Sequence, residues 1–198
     1  MSANTYLTPK ERAALESVRV GIAGAGGLGS NCAMHLVRSG VKHLTIVDFD
    51  VVNESNLNRQ FFFRDQIGQK KVEAIKANLL RIESDADIRA VDMRLDASSA
   101  REVFADCGIV VEAFDAVDAK VMLVSAFASS GKKLVTASGL AGWGRSNAMR
   151  VRKMGNIVAI GDGETSVGDG AAPVSPRVGI AAAMEANAVV SLLLGCEP

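Results

Sequence analysis

The sequence predicts an α/β protein: a Rossmann-like, doubly wound, mainly parallel sheet with antiparallel strands at one edge. Three observations carry this. Short apolar runs alternate with helical segments from residue 18 to residue 137, the pattern of β-α-β crossovers. The first run leads into Gly24-Ala25-Gly26-Gly27-Leu28-Gly29, a G-x-G-x-x-G turn between a strand and a helix. The pattern changes after residue 145, where β-like runs at 146–152 and 156–160 flank Met154-Gly155-Asn156, a hairpin signal.

Each element has a local reason. Thr8-Pro9-Lys10-Glu11 reads as a capping box with proline at the first helical position, opening a short helix to about Glu16. Val18, Val20 and Ile22 alternate into a buried strand. A helix over 27–39 is closed by Gly40. HLTIVD, 43–48, forms the second strand. Val72, Ile75, Leu79 and Ile82 share one face of a helix over 68–82. A strand near 87–93, a helix near 97–106, a strand at 109–113, a helix near 117–130 and a strand at 133–137 complete the alternation. Residues 161–172, GDGETSVGDGAA, read as a mobile loop, and 177–194 as a final helix of small apolar residues. No repeat or linker divides residues 1–198, so one domain is expected.

Bulk properties exclude several classes. Hydrophobic residues make up 48% of the chain and the formal net charge is zero, so no basic excess points to nucleic acid or an anionic membrane. No apolar run reaches the roughly 18 residues of a membrane span. The opening, MSANTYLTPKERAALES, lacks the apolar stretch of a secretory signal. Cys32, Cys107 and Cys196 form no C-x-x-C pair, which argues against a disulfide framework or a zinc site and for a cytoplasmic protein.

The glycine turn implies a nucleotide. Gly24 permits the tight turn, Gly26 leaves room for phosphate, Gly27 begins the helix, and Gly29 lets helix and strand approach. Free N–H groups at the helix start favour phosphate. Asp48, at the end of the second strand, stands where a ribose-binding acid belongs. Asp50 could orient Asp48 or a metal, or face solvent. One loop further on stand Asn56 and Arg59. A dinucleotide rarely needs an arginine there, whereas a triphosphate does, because charge builds on the departing pyrophosphate.

DFDVVNESNLNRQ, 48–60, resembles the D-x-D-x-V-x-x-S-N-L-x-R-Q signature of the ThiF/MoeB/HesA family, bacterial relatives of ubiquitin-activating enzymes. The resemblance runs from residue 18 to 195. Small size and GLAG, 139–142, look most like the short second subfamily of ThiF proteins in thiamine biosynthesis. The resemblance implies that Asp48 holds the ribose hydroxyls and that Asn56 and Arg59 contact phosphate, with Arg59 at the leaving end. Gly68-Gln69-Lys70-Lys71 matches the family's G-x-x-K, so Lys71 would neutralise phosphate oxygens. Asp115 falls at the family's magnesium-associated aspartate. Plainer readings stand beside these: Lys71 on a solvated helix face, Asp115 as a helix cap, and Phe61–Phe63 as packing or interface rather than a base platform.

The chain also departs from the family. Longer members carry two C-x-x-C pairs for structural zinc; none occurs here, so zinc is not expected. The stretch 161–176 lacks the cysteine some members use for covalent sulfur chemistry, and Cys32 and Cys107 read as core. The N-terminal R-Y-x-R-Q segment is missing, so Arg12 is a candidate to act across a dimer. Trp143 could border the channel for a carrier's tail or simply pack, and His35 and His43 read as structural.

The implied function is ATP- and Mg2+-dependent adenylylation of the C-terminal glycine carboxylate of a ThiS-like, ubiquitin-fold sulfur carrier. A homodimer is expected by resemblance, with the final helix and Phe61–Phe63 as contributors. The alternatives are an inactive nucleotide-binding scaffold of the same fold and an NAD-dependent oxidoreductase. Against the last, no Ser-Tyr-Lys or His-Asp relay stands out.

Overall fold

Alternation in the sequence becomes alternation in space. In the computed structural model, which describes residues 6–166 and 170–198, the elements in chain order are α1 (Pro9–Ser17), β1 (Arg19–Ala23), α2 (Gly27–Arg38), β2 (His43–Asp48), α3 (Lys71–Leu80), β3 (Asp87–Asp92), α4 (Ala97–Val103), β4 (Ile109–Glu112), α5 (Val117–Phe127), β5 (Lys133–Ala137), β6 (Arg150–Met154), β7 (Ile157–Gly161) and α6 (Ser175–Leu193). Among the described residues, these strands form one sheet in the order β3-β2-β1-β4-β5-β7-β6. All neighbours run parallel except β6, which pairs antiparallel with β7. Strand order reverses between β1 and β4, which creates the crevice where such sheets bind ligands.

The two faces of β1 show why helices cover both sides. Val20 and Ile22 enter one apolar cluster with Leu28, Leu36, Ile75, Ala181 and Val189, from α2, α3 and α6. Ala23 enters the other, with Ala100, Phe104, Leu123 and Phe127 around α4 and α5. Gly21 lies under the Phe104 ring, where an added Cβ would come within 2.5 Å of Cδ1. Small residues Ala181, Ala182 and Ala186 let α6 pack along α2. The apolar face of α6 is thus used inside the chain, and Phe62 is buried in the same core.

Boundaries follow local chemistry. The Thr8–Glu11 capping box is present, and Gly40 follows α2 with φ +100°. Three helices are shorter than expected. α3 starts at Lys71 because Gly68 adopts φ +89°. α4 stops at Val103 and α5 at Phe127. The first hairpin arm is also displaced. Arg145 sits in the left-handed region, φ 48°, and Ser146–Ala148 form a 3-10 turn, so β6 begins at Arg150. The hairpin turn is Gly155-Asn156, with Gly155 at φ +62°. Of the late strands, β6 alone is antiparallel to the sheet. Within the glycine-rich stretch 161–172, residues 167–169 lie outside the described residues.

Candidate nucleotide site

The G-x-G-x-x-G loop leaves β1 and enters α2, and its glycines differ in purpose. Gly24 has φ +102°, and a Cβ there would come within 2.8 Å of the Ala113 carbonyl oxygen. A Cβ on Gly29 would overlap the Gly24 carbonyl, so this glycine sets the strand–helix approach. Gly27 is required by packing the sequence does not reveal: its Cβ would meet Val178 of α6 at 2.9 Å. Gly26 is different. The nearest atom to a Cβ there is Gln60 Nε2 at 3.8 Å, so the protein itself leaves that space open. Gly26 caps α2 without a side-chain bond, which leaves the N–H groups of the first turn without a side-chain acceptor.

Asp48 ends β2 beside this loop. Its Oδ2 accepts from Ala25 N at 2.6 Å and its Oδ1 from Asp50 N at 2.8 Å. The carboxylate is therefore both a turn anchor and a ribose candidate, since each oxygen keeps a further lone pair. The Asp50 side chain does not orient Asp48. It accepts from Lys71 Nζ at 2.7 Å, and the Asp50 carbonyl accepts from Lys71 N at 3.0 Å. Lys71 is buried, which corrects the solvated-helix reading. Its neighbour Lys70 is the surface residue, paired with Asp92.

Asn56 closes the 3-10 turn Glu54–Asn56, and its Oδ1 accepts from Asn53 N at 3.0 Å. Arg59 follows at the mouth of α2. Its stem lies over Gly27, and its carbonyl accepts from Asn31 Nδ2 at 2.8 Å. Its guanidinium donates to Asn58 Oδ1 and the Ser55 carbonyl, both neutral. Among the described residues Arg59 has no carboxylate partner, so its charge is uncompensated. Beyond it, Phe61 N donates to Ser30 Oγ, Phe61 packs against the core and Phe62 enters it, while Phe63 stays exposed.

Asp115 follows β4 and is exposed, with no hydrogen-bond partner among the described residues. The N-cap of α5 is Ala116, with no side-chain cap bond, so Asp115 is not a helix cap. Its carboxylate suits magnesium, which commonly takes one or two carboxylates together with phosphate oxygens and water. Among the described residues no group of three His, Cys, Asp or Glu gathers for a metal.

Buried ionisable groups escaped the sequence reading. Glu112, which closes the apolar run IVVE, is fully buried with Lys120 and Thr136 at its carboxylate; the lone acid in that run was the available signal. Asp162 and Arg177 form a buried ion pair, and Arg177 also donates to the Gly144 carbonyl at 2.6 Å. No spacing announces it. This pair fastens the exits of β5 and β7 beside a cavity of about 210 Å³ lined by Ala141, Gly142, Trp143, Arg145, Thr165, Ala171 and Arg177. Trp143 is mostly exposed at its rim.

Two of the three cysteines are buried in the core. Burial, then the neighbouring Glu185, pushes the Cys32 thiol well above its ordinary range. Burial pushes Cys107 up to about 11. Cys196 is exposed. His43 lies 3.1 Å from Asp87 at the far end of β2, and Arg12 is engaged rather than free on α1.

Residues 3–198 match the ThiF family. Among curated proteins, the chain is 35% identical over 127 residues to an adenylyltransferase and sulfurtransferase of Eremothecium gossypii, covering 64% of this chain and 29% of that protein. It is 38% identical over 111 residues to a molybdopterin-synthase adenylyltransferase of Salmonella typhimurium, covering 56% and 45%. The chain spans less than half the length of these relatives. Among solved structures it is similar to the E. coli tRNA N6-threonylcarbamoyladenosine dehydratase TcdA in complex with AMP, with TM-score 0.86, 19% identity, and 98% and 93% coverage. At that identity the likeness is one of fold.

Proposed function

The chain belongs to the ThiF family, and we propose that it is an ATP-dependent adenylyltransferase acting on the C-terminal glycine carboxylate of a ThiS-like, ubiquitin-fold sulfur carrier. The observation that carries this reading is the uncompensated charge of Arg59 at the mouth of α2. A cation without a carboxylate partner beside the glycine loop suits the charge that builds on a departing pyrophosphate, which a dinucleotide does not develop. The names of the curated relatives point the same way.

In the proposed reaction a carrier carboxylate oxygen bonds to the α-phosphorus of ATP. The bond from that phosphorus to the bridging oxygen breaks, and its electron pair leaves with pyrophosphate. No base is required, because a carboxylate is ionised at neutral pH. Asp48 holds the ribose, and the glycine loop and Asn56 hold phosphate. Lys71 neutralises the phosphate oxygens and Arg59 the leaving charge. Asp115 would hold magnesium, which when bound supplies charge neutralisation at the phosphates. The resemblance to short ThiF proteins favours thiamine biosynthesis as the pathway and a homodimer as the assembly, and the scattered cysteines favour the cytoplasm as the place.

An inactive nucleotide-binding scaffold is the second reading, favoured by the lack of a cysteine in 161–176. ATP–pyrophosphate exchange separates the two. A carrier ending in Gly-Gly is expected to support exchange, and the same carrier without those glycines is not. Arg59→Ala and Asp115→Ala should each lower exchange by about 100-fold. Exchange at the normal rate in either variant contradicts its assigned role, and ATP binding without exchange by any carrier supports the scaffold.

A further inference from the structure

Glu112 ends β4 with no exposure to solvent, yet its carboxylate meets three donors from three places. Oε1 accepts from Phe114 N at 2.8 Å. Oε2 accepts from Lys120 Nζ of α5 at 2.7 Å and from Thr136 Oγ1 of β5 at 2.5 Å. Thr136 is its register partner across the β4–β5 ladder.

Stability does not account for this arrangement. A buried ion pair yields little net stabilisation, and an apolar pair of similar volume often serves as well or better. The informative contact is the one to Phe114 N. Phe114 precedes Asp115, whose side chain has no partner among the described residues, and α5 is capped at Ala116 without a side-chain bond. The position of Asp115 is therefore set by its backbone. That backbone is pinned on one side by Ala113, whose N–H donates to Ala23 O at 2.9 Å and whose carbonyl abuts Gly24. On the other side it is pinned by Glu112.

We propose that Glu112 is a positioning residue: through the Phe114 N–H it fixes the turn that presents Asp115 to the nucleotide phosphates and their metal. Lys120 and Thr136 hold the Glu112 carboxylate so that Oε1 remains aimed at that N–H. The inference rests on the proposed role of Asp115.

The test uses two double variants without a buried charge. In Glu112→Gln with Lys120→Met, the amide oxygen can still accept from Phe114 N and the amide NH2 can donate to Thr136. In Glu112→Leu with Lys120→Met, volume is kept but no acceptor remains. ATP affinity is measured by titration calorimetry with and without Mg2+, in the absence of carrier, alongside the melting temperature. The glutamine variant should retain the gain in affinity that Mg2+ gives the unaltered chain. The leucine variant should lose about tenfold of it, the scale at which residues supporting a metal ligand act, while Mg2+-free binding stays unchanged. Equal Mg2+ gains in the two folded variants overturn the proposal. If the leucine variant does not fold, the Glu112→Gln single variant replaces it, because Lys120 then takes the amide oxygen and Phe114 N loses its acceptor. An unaltered chain that binds no ATP takes down the nucleotide reading and this inference together. One that binds ATP without responding to Mg2+ removes the role of Asp115, and Glu112's with it.

Discussion

Lys71 Nζ lies 2.7 Å from the Asp50 carboxylate although only 6% of the lysine is exposed. The two residues are tied twice, since Lys71 N also donates to the Asp50 carbonyl. In the proposed role of Lys71, a phosphate and Asp50 would compete for one ammonium. Asp50→Asn keeps an acceptor at the same place and removes the competing charge. ATP affinity measured by calorimetry should rise about threefold, the worth of a partly solvated charge pair. Lys71→Ala should lower it at least tenfold, roughly the worth of a charge-assisted bond. Equal affinity in the Asn variant and the unaltered chain would refute the competition.

Packing requires Gly29 in the glycine loop but does not require Gly26. Gly29→Ala puts a methyl group into the Gly24 carbonyl, and little folded protein should be recovered. Gly26→Ala has 3.8 Å of clearance and should melt within about 2 °C of the unaltered chain, the scale of a surface change. It should nevertheless bind ATP at least tenfold more weakly. Undiminished ATP binding by the Gly26 variant would show that phosphate does not approach that carbon.

Asp162 and Arg177 hold the β5 and β7 exits together. Burial alone pushes the Asp162 carboxyl up, but bonds from Thr165 and Glu164 and the Arg177 charge outweigh it and hold it below 3.8. A depressed carboxylate stabilises the fold above its unfolded value and loses that contribution as pH falls through the folded value. Arg177→Met leaves Asp162 buried without its cation and should cost about 3 kcal/mol in urea unfolding. Acid unfolding of that variant should begin at higher pH. A midpoint that does not move would mean the backbone donors alone sustain the charge.

Glu185 is the opposite case. It is fully buried on α6, and neither carboxyl oxygen has a partner among the described residues. Burial first, and the nearby Glu112 second, hold its carboxyl well above the ordinary value of 4.5. The contribution of such a group is fully present below 4.5 and is lost as pH rises through the folded value. Glu185→Met removes both the ionisation and the orphaned oxygens. Stability at pH 5 should rise by about 2 kcal/mol, the cost of an unsatisfied buried polar group, and the gain should be larger at pH 8, where the unfolded chain ionises this carboxyl and the native fold does not. A gain of the same size at both pH values would exclude ionisation as its source.

Much of the fold was legible because its causes are local. The Thr8–Glu11 box, the Gly40 stop and the strands HLTIVD and KLVTA all stand where periodicity and capping put them. The displaced arm of the β6–β7 hairpin was not legible, because it turns on Arg145 in a left-handed conformation. No side chain in SNAMRVRKM announces that constraint. Asp50 is the instructive site residue. Its sequence neighbours left it open between orienting Asp48, serving a metal and facing solvent. Only the packing of α3 against the end of β2 brings Lys71 to it.

By itself the sequence determined the alternation of strands and helices, the glycine loop and its acid, and the order of the polar residues that follow. Each depends on backbone conformation and periodicity within a few residues. The tertiary structure alone decided which charges meet. Lys71 finds Asp50, Glu112 finds Lys120 and Thr136, and Arg177 finds Asp162, while Arg59 and Asp115 find no opposite charge among the described residues. These outcomes depend on which strand ends share an edge of the sheet and on which helices cover them. A carboxylate must meet its cation in space, and nothing in the spacing of residues along the chain fixes that meeting.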